Sequence, residues 1–248
     1  MRSRTPYLLL IALVGCTAPQ PQPKSTPVYF KVEPSTAGAI SGRITFSGPK
    51  PPRRKLRIDE DLACVHANRN GLFDESIVVN RDGALANVFV YVKKGLEGKQ
   101  FTPPEGAVTI DQKGCRFSPR VMGVRVGQVI RVTNSDPVTH NIHPQARMNR
   151  EWNQSQPEGA PPLERKFVRS EVMIRVKCNV HSWMRAYIGV LEHPYFAVTG
   201  ADGSFEIRDL PPGSYTIEAW HEKLGSQEQQ VTVPPSGKQE AGFTFKGV

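Results

Sequence analysis

Helical periodicity is missing from this chain of 248 residues. No stretch repeats apolar side chains at three- and four-residue intervals over a useful length, which sets aside a helical bundle. Cysteine is scarce, at four residues, and without a Cys-x-x-Cys-His run the attachment motif of a covalent c-type haem is absent. There is no helix-turn-helix pattern, zinc finger or aromatic RNA platform, so nucleic acid is not an expected partner despite a formal charge of +9. Long apolar runs are also lacking. The strongest, Tyr7–Val14, is too short to span a bilayer stably.

That short run has another use. Arg2 and Arg4 precede it and Leu13-Val14-Gly15-Cys16 ends it, the layout of an export signal over residues 1–15. The ending resembles the lipobox of bacterial lipoproteins, which implies cleavage before Cys16 and a lipid on it. The alternative is an ordinary signal peptide with Cys16 incidental. Thr17 in place of Asp after the cysteine resembles an outer-membrane address in a Gram-negative cell. The expected location is the periplasm or cell surface, with the membrane reached through that lipid. Loss of Arg2 and Arg4 with the signal brings the charge from +9 to +7. The run Lys50-Pro-Pro-Arg-Arg-Lys55 reads first as a solvated face, with anionic lipid or an acidic partner as the alternative.

Residues 16–37 hold five prolines among polar residues and read as an extended tether. From Gly38 onward the pattern is β almost throughout. Short alternating or β-branched runs such as Ile40–Phe46, Ile77–Asn80, Ala86–Val92, Val121–Val126, Val172–Lys177 and Tyr187–Leu191 are bounded by Gly, Pro, Asn and Asp. The fold class is therefore all-β, as sandwiches or barrels. About 210 residues beyond the tether suffice for two small β domains. The expected division is a β segment over 38–100, a second domain over 101–192 and a final segment over 193–248.

The middle stretch carries the chemistry. Cys178-Asn-Val-His181-Ser-Trp-Met184 gathers a thiolate, an imidazole and a thioether within seven residues, and His140 adds a second imidazole. Two His, one Cys and a weak Met suit copper, because soft thioether sulfur is a poor ligand for zinc. A binuclear copper site of the terminal-oxidase kind needs two cysteines in this loop, and there is one. Val172, Ile174 and Val176 alternate on one strand face, so Cys178 falls where the strand ends. Tyr187–Leu191 returns as the next strand, holding Cys178, His181 and Met184 at one end of the sandwich.

Residues 105–192 resemble the type 1 blue-copper cupredoxins, amicyanin- and plastocyanin-like. The residues that carry the likeness, in order, are Val108-Thr-Ile110, Phe117-Ser-Pro119, Val124-Arg-Val126-Gly127, Asn134-Ser-Asp136, His140-Asn141 and Cys-x-x-His-x-x-Met. The resemblance implies a Greek-key sandwich holding one mononuclear copper, with His140, Cys178 and His181 in a trigonal plane and Met184 as the axial contact. It assigns Asn141 to a hydrogen bond near the thiolate that ties two loops together. It also implies an exposed edge on His181 ringed by apolar residues, where redox partners dock transiently. Trp183 has two readings there, docking such a partner or covering the site.

A second resemblance follows from Ala201-Asp-Gly-Ser-Phe205-Glu-Ile207 and Leu210-Pro-Pro-Gly-Ser-Tyr215-Thr-Ile217. These are similar to the carboxypeptidase regulatory-like family, a transthyretin-like sandwich, and suggest a scaffold rather than a peptidase. Gly42–Gly48 and Ala86–Val92 resemble the early strands of the same family, so that domain reads as discontinuous with the copper domain inserted. The alternative has those strands joining the copper sandwich.

Cys64 and Cys115 remain, compatible with one disulfide, two free buried thiols, or a second metal site through Cys64-Val-His66. His143 is an alternative ligand or a surface residue, and His66, His193 and His221 read as structural. The function expected is one-electron transfer rather than catalysis, since no His-x-His pairs of a multicopper oxidase occur. Copper storage or delivery is one alternative. A surface scaffold or adhesion protein with incidental copper is the other.

Overall fold

The computed structural model describes residues 27–247, so the signal and Cys16 lie outside the described residues. The described residues are almost entirely β, in four sheets. Two of them draw on both ends of the chain. Gly38–Ser47 pairs antiparallel with Ser204–Leu210 and parallel with Lys238–Glu240 and Phe243–Lys246. Facing it is an antiparallel sheet in the order Phe196–Val198, Phe89–Lys94, Gly213–His221, Gly225–Val233. Alternation fills the space between them. Ile40, Ile44, Val90, Val92, Phe205, Ile207, Tyr215 and Ile217 point inward into one core, while alternate positions turn to the opposite sheet faces, where Phe89 and Tyr91 are buried as well.

The other two sheets are built from residues between 107 and 191. One runs Val121–Arg125, Arg185–Leu191, Glu171–Lys177, His140–Gln145, Gln154–Gln156. The second runs Phe117–Ser118, Ala107–Gln112, Val129–Asn134, Leu163–Arg165. Ile110, Val124, Ile130, Val132, Ile174, Val176 and Ile188 form their shared core. The strands Gly38–Ser47 and Phe89–Lys94 thus pair only with strands from the C-terminal part and leave the middle sheets to the middle of the chain.

One local expectation needed correction, and two further elements had no counterpart in the sequence pattern. Ile77–Asn80 is not a strand; only an isolated bridge between Val79 and Leu85 forms there. The polar stretch after Pro144 contains the edge strands Gln154–Gln156 and Leu163–Arg165. Leu62–Ala67 is a six-residue helix, too short to reveal a period.

The two pairs of sheets meet on a bare patch. Gly123 and Gly189 are cross-strand partners. A Cβ on Gly123 would lie 2.3 Å from the Phe196 ring, and one on Gly189 would lie 2.6 Å from the Phe89 ring. Without side chains there, Phe89 and Phe196 rest directly on the backbone, beside buried Tyr91, Val121 and Leu191. Arg120 holds Glu222 through both nitrogens, at 2.5 and 3.0 Å, and Tyr187 donates to the same carboxylate at 3.1 Å. Burial opposes charge on Arg120, but its contact with Glu222 outweighs this and raises its pKa. Gly189→Ala should therefore displace Phe89 and destabilise the chain by about 1–3 kcal/mol, read from urea unfolding.

His221 tests the C-terminal core. Its Nδ1 accepts from the amides of Lys223 and Leu224 at 3.2 Å each, and burial pushes its pKa down to about 4. Burial does the same to His193, also to about 4. Unfolded rings take up protons near 6.5, so between there and about 4 the unfolded state binds more protons. Stability should be full above that window and fall with acidification by about 1.4 kcal/mol per pH unit per ring. Urea midpoints at about pH 6 and pH 5 should show a slope that His221→Gln roughly halves.

Candidate metal centre

The site starts from a hairpin. Glu171–Lys177 and Arg185–Leu191 pair antiparallel, with Lys177 opposite Arg185, so the seven residues from Cys178 to Met184 close the turn. Met184 N donates to His181 O at 3.0 Å and Cys178 N to Met184 O at 3.3 Å. This winding turns the Cys178 sulfur inward, where it accepts from the amides of His181 and Asn141, each at 3.4 Å. Burial raises the thiol pKa, but a hydrogen bond from His140 and the amides of Asn141, His181 and Val180 more than offset it, and the thiol is lowered. Cys178 and Met184 are both buried, at 2% and 1% exposure.

His140 opens the strand His140–Gln145. The loop before it is shaped by Asn134, whose side chain donates to Val138 O at 2.8 Å and accepts from Asp136 N at 3.1 Å. That Asx turn aims the Asp136 carboxylate at three donors: Gly114 N at 2.6 Å, Cys115 N at 2.7 Å and His140 Nε2 at 2.8 Å. Burial alone would raise the Asp136 pKa; these bonds reverse the effect and lower it.

Asp61 faces the second imidazole. As N-cap of the helix Leu62–Ala67, its Oδ1 accepts from Ala63 N and Cys64 N at 2.8 and 3.1 Å. Its Oδ2 lies 3.1 Å from His181 Nε2. Here too the hydrogen bonds overcome burial and lower the pKa. Both aspartates are therefore ionised acceptors, which requires a proton on Nε2 of each histidine. The remaining nitrogens, Nδ1 of His140 and Nδ1 of His181, face each other at 2.9 Å. Cys178 Sγ stands 3.9 Å from His181 Nδ1.

The donor atoms of His140, Cys178 and His181 all lie within 4.8 Å of one another. Metal–nitrogen bonds of about 2.0 Å and a metal–sulfur bond of about 2.3 Å would set N···S at about 3.8 Å for a wide angle. The N···N distance corresponds to an angle of about 90° at the same bond lengths. Two imidazole Nδ1 atoms and a sulfur with thiolate character converge on one point, so the donor set suits a cation. Burial disfavours charge on His140, yet its bonds to Asp136 and Cys178 push its pKa up to about 9, so without a metal its Nδ1 holds a proton, directed at His181 Nδ1, that a bound cation would displace. Met184 is buried in the same apolar core as Cys178. Two other candidate groups, Asp61-Cys64-His181 and Cys115-Asp136-His140, borrow sulfurs that are tied up in a disulfide.

Cys64 and Cys115 are bonded to each other, with Cα atoms 5.6 Å apart, so the reading of a second metal site through His66 is corrected: its thiol is consumed and His66 is exposed. Asn141 accepts from Asn179 N and donates to Asn153, joining the two ligand loops. His143 is set apart, its Nε2 paired with Glu151. His221 lies in the other pair of sheets and His193 in the bend before Phe196–Val198.

One expectation is overturned. His181 has no exposed edge; it is 2% exposed. The segment around the helix covers it, and Ile58, Cys64, Leu72 and Cys115 form a small core there with Leu56, Val65 and Trp183 packed against it. Trp183 packs tilted against His181, ring centres 5.0 Å apart, and donates its Nε1–H to Cys115 O at 3.0 Å. With its polar atom tied inward, Trp183 covers the site. Asp61 was missed from sequence because an acidic N-cap is an ordinary helix signal; only the fold brings it to His181.

Comparison with known proteins bears on both halves. Residues 186–246 match the carboxypeptidase regulatory-like domain. The first residues of the match, 186–191, lie in the strand Arg185–Leu191 of the metal-bearing sheet; the regulatory-like segment otherwise covers the C-terminal strands. Among solved structures, a copper nitrite reductase from Thermus scotoductus is similar at 18% identity and a TM-score of 0.33, over 40% of this chain and 25% of that one. The chain thus spans about a quarter of that protein's length. An amicyanin mutant in its Cu(I) form is similar at 20% identity and a TM-score of 0.31, over 36% of this chain and 85% of that one. A purple cupredoxin from Nitrosopumilus maritimus is similar at 20% identity and a TM-score of 0.29, over 33% and 97%. No curated protein matches.

The disulfide closes a 51-residue separation. Replacing both Cys64 and Cys115 by Ser should cost about 4 kcal/mol by the chain-entropy relation, read from urea unfolding without reductant.

Proposed function

We propose that this protein carries single electrons through one mononuclear type 1 copper. His140, Cys178 and His181 would form its plane and Met184 its long axial contact, with Asn141 steadying the thiolate. The observation that carries this reading is the convergence of the two Nδ1 atoms and the Cys178 sulfur, with both distal nitrogens committed to carboxylates. When bound, copper supplies a one-electron couple; the chain supplies a donor set that changes little between its two states. The ligands sit on a hairpin and a strand start whose backbones are fixed by neighbouring sheets, which keeps rearrangement small. Four donors leave no open position for a substrate, so the protein is read as a carrier rather than an enzyme. The buried site favours retention of the ion over its delivery.

The strand pairing supports two units: a copper unit over 101–192, and a transthyretin-like unit assembled from 38–100 and 193–248 around it. Attachment to a membrane through a lipid on Cys16, on the periplasmic side or at the cell surface, follows from the lipobox resemblance. Redox proteins are the partners proposed. Since His181 is covered, they would approach over Trp183 and the helix rather than on a bare histidine edge.

Copper-loaded protein should be intensely coloured by thiolate-to-copper charge transfer and should show narrow copper hyperfine splitting in electron paramagnetic resonance. Cys178→Ser should abolish the colour, and Met184→Leu should keep the copper and raise its reduction potential. A colourless copper adduct of the unmutated chain would overturn the reading.

A further inference from the structure

Asp61 stands outside every sheet, in the segment that folds over His181, yet it is held as firmly as a core residue. Its Oδ1 is committed to the amides of Ala63 and Cys64. Three residues on, Cys64 is bonded to Cys115, whose amide is gripped by Asp136 and whose carbonyl accepts from Trp183. Asn68 adds a further tie, donating to Cys64 O at 2.9 Å and Gly114 O at 3.1 Å. The second carboxylate oxygen is thereby delivered to His181 Nε2 at 3.1 Å.

The arrangement repeats what Asp136 does for His140. Each imidazole is flanked by a fixed anion on the side away from Cys178. A carboxylate accepting from the distal N–H locks the tautomer and the ring plane and makes the other nitrogen a better donor. Charge matters as well. The Asp61 carboxylate stands 3.1 Å from one imidazole and that of Asp136 2.8 Å from the other, and an ion of two positive charges gains more from such neighbours than an ion of one.

We propose that Asp61 is a positioning residue of the metal centre: from outside the sandwich it fixes the His181 ring and biases a bound copper toward its oxidised form. The proposal rests on the copper reading above. It gives the covering segment a role beyond shielding, because the helix and the disulfide then serve to hold one carboxylate in place.

The capping geometry provides a clean test. Asn caps a helix about as well as Asp, so Asp61→Asn keeps the Oδ1 contacts. Its amide nitrogen, however, cannot accept from His181. Asp61→Ser keeps a cap and withdraws the second oxygen altogether. The full chain and both variants would be compared in two forms. In the metal-free form, imidazole nitrogen NMR should show His181 as the Nε2–H tautomer in the unmutated chain and as a mixture in both variants. Thermal unfolding should meanwhile show that they remain folded. In the copper form, both variants should keep the charge-transfer band, show a higher reduction potential and bind copper about 10–100-fold more weakly. A chain that shows the band, and whose tautomer, potential and affinity survive both substitutions, would overturn this proposal alone. An unmutated chain without the band would overturn the copper reading and this proposal with it.

Discussion

Two carboxylates, one buried and one half-buried, decide where the protons of the facing imidazoles sit, and the rest of the centre follows from that choice. Because Asp136 and Asp61 accept only, the Nε2 atoms must donate, and the two Nδ1 atoms are left facing each other beside the Cys178 sulfur. Such a cluster carries an electrostatic demand for positive charge at its middle. Each aspartate is itself pinned by two backbone amides, so neither can turn away to relieve the crowding. The polarity of the site is thus imposed by loops outside the ligand hairpin, at the cost of placing anions in a poorly solvated place.

Much of this was legible before any coordinates. The alternation of Val172, Ile174 and Val176 located the strand end that presents Cys178, and the return strand after Met184 defined the hairpin. The motifs around Phe205–Ile207 and Leu210–Ile217 marked the C-terminal segment by resemblance, and their alternate residues fill its core. What escaped were features made by contacts distant in the chain. Asp61 lies 120 positions from His181, and nothing in its neighbourhood distinguishes a capping aspartate from one that also meets an imidazole. The helix that carries it spans fewer than two turns, below the length at which a period can be seen. The edge strands Gln154–Gln156 and Leu163–Arg165 were hidden because they are polar, as edges exposed to water commonly are.

The covered histidine changes how the site communicates with its surroundings. An imidazole edge open to water lets a partner approach the ligand itself. Here the approach is through a small core containing a disulfide, a helix and Trp183. That core adds a layer of packed atoms between a bound ion and solvent, which slows ion exchange and lengthens any path for an electron. It also ties residues 56–72 to the metal-bearing sheets by a covalent bond, so the cover cannot lift without breaking the disulfide or unfolding locally.

The paired glycines at 123 and 189 bear on geometry at a larger scale. Two sandwiches joined by ordinary side chains could rock against each other, sampling many mutual attitudes. Rings seated on naked backbone, with the Arg120 guanidinium clamped on Glu222 beside them, leave little room for such sampling. The molecule should therefore tumble as a single rigid rotor, and whatever grips one sandwich dictates the compass bearing of the other.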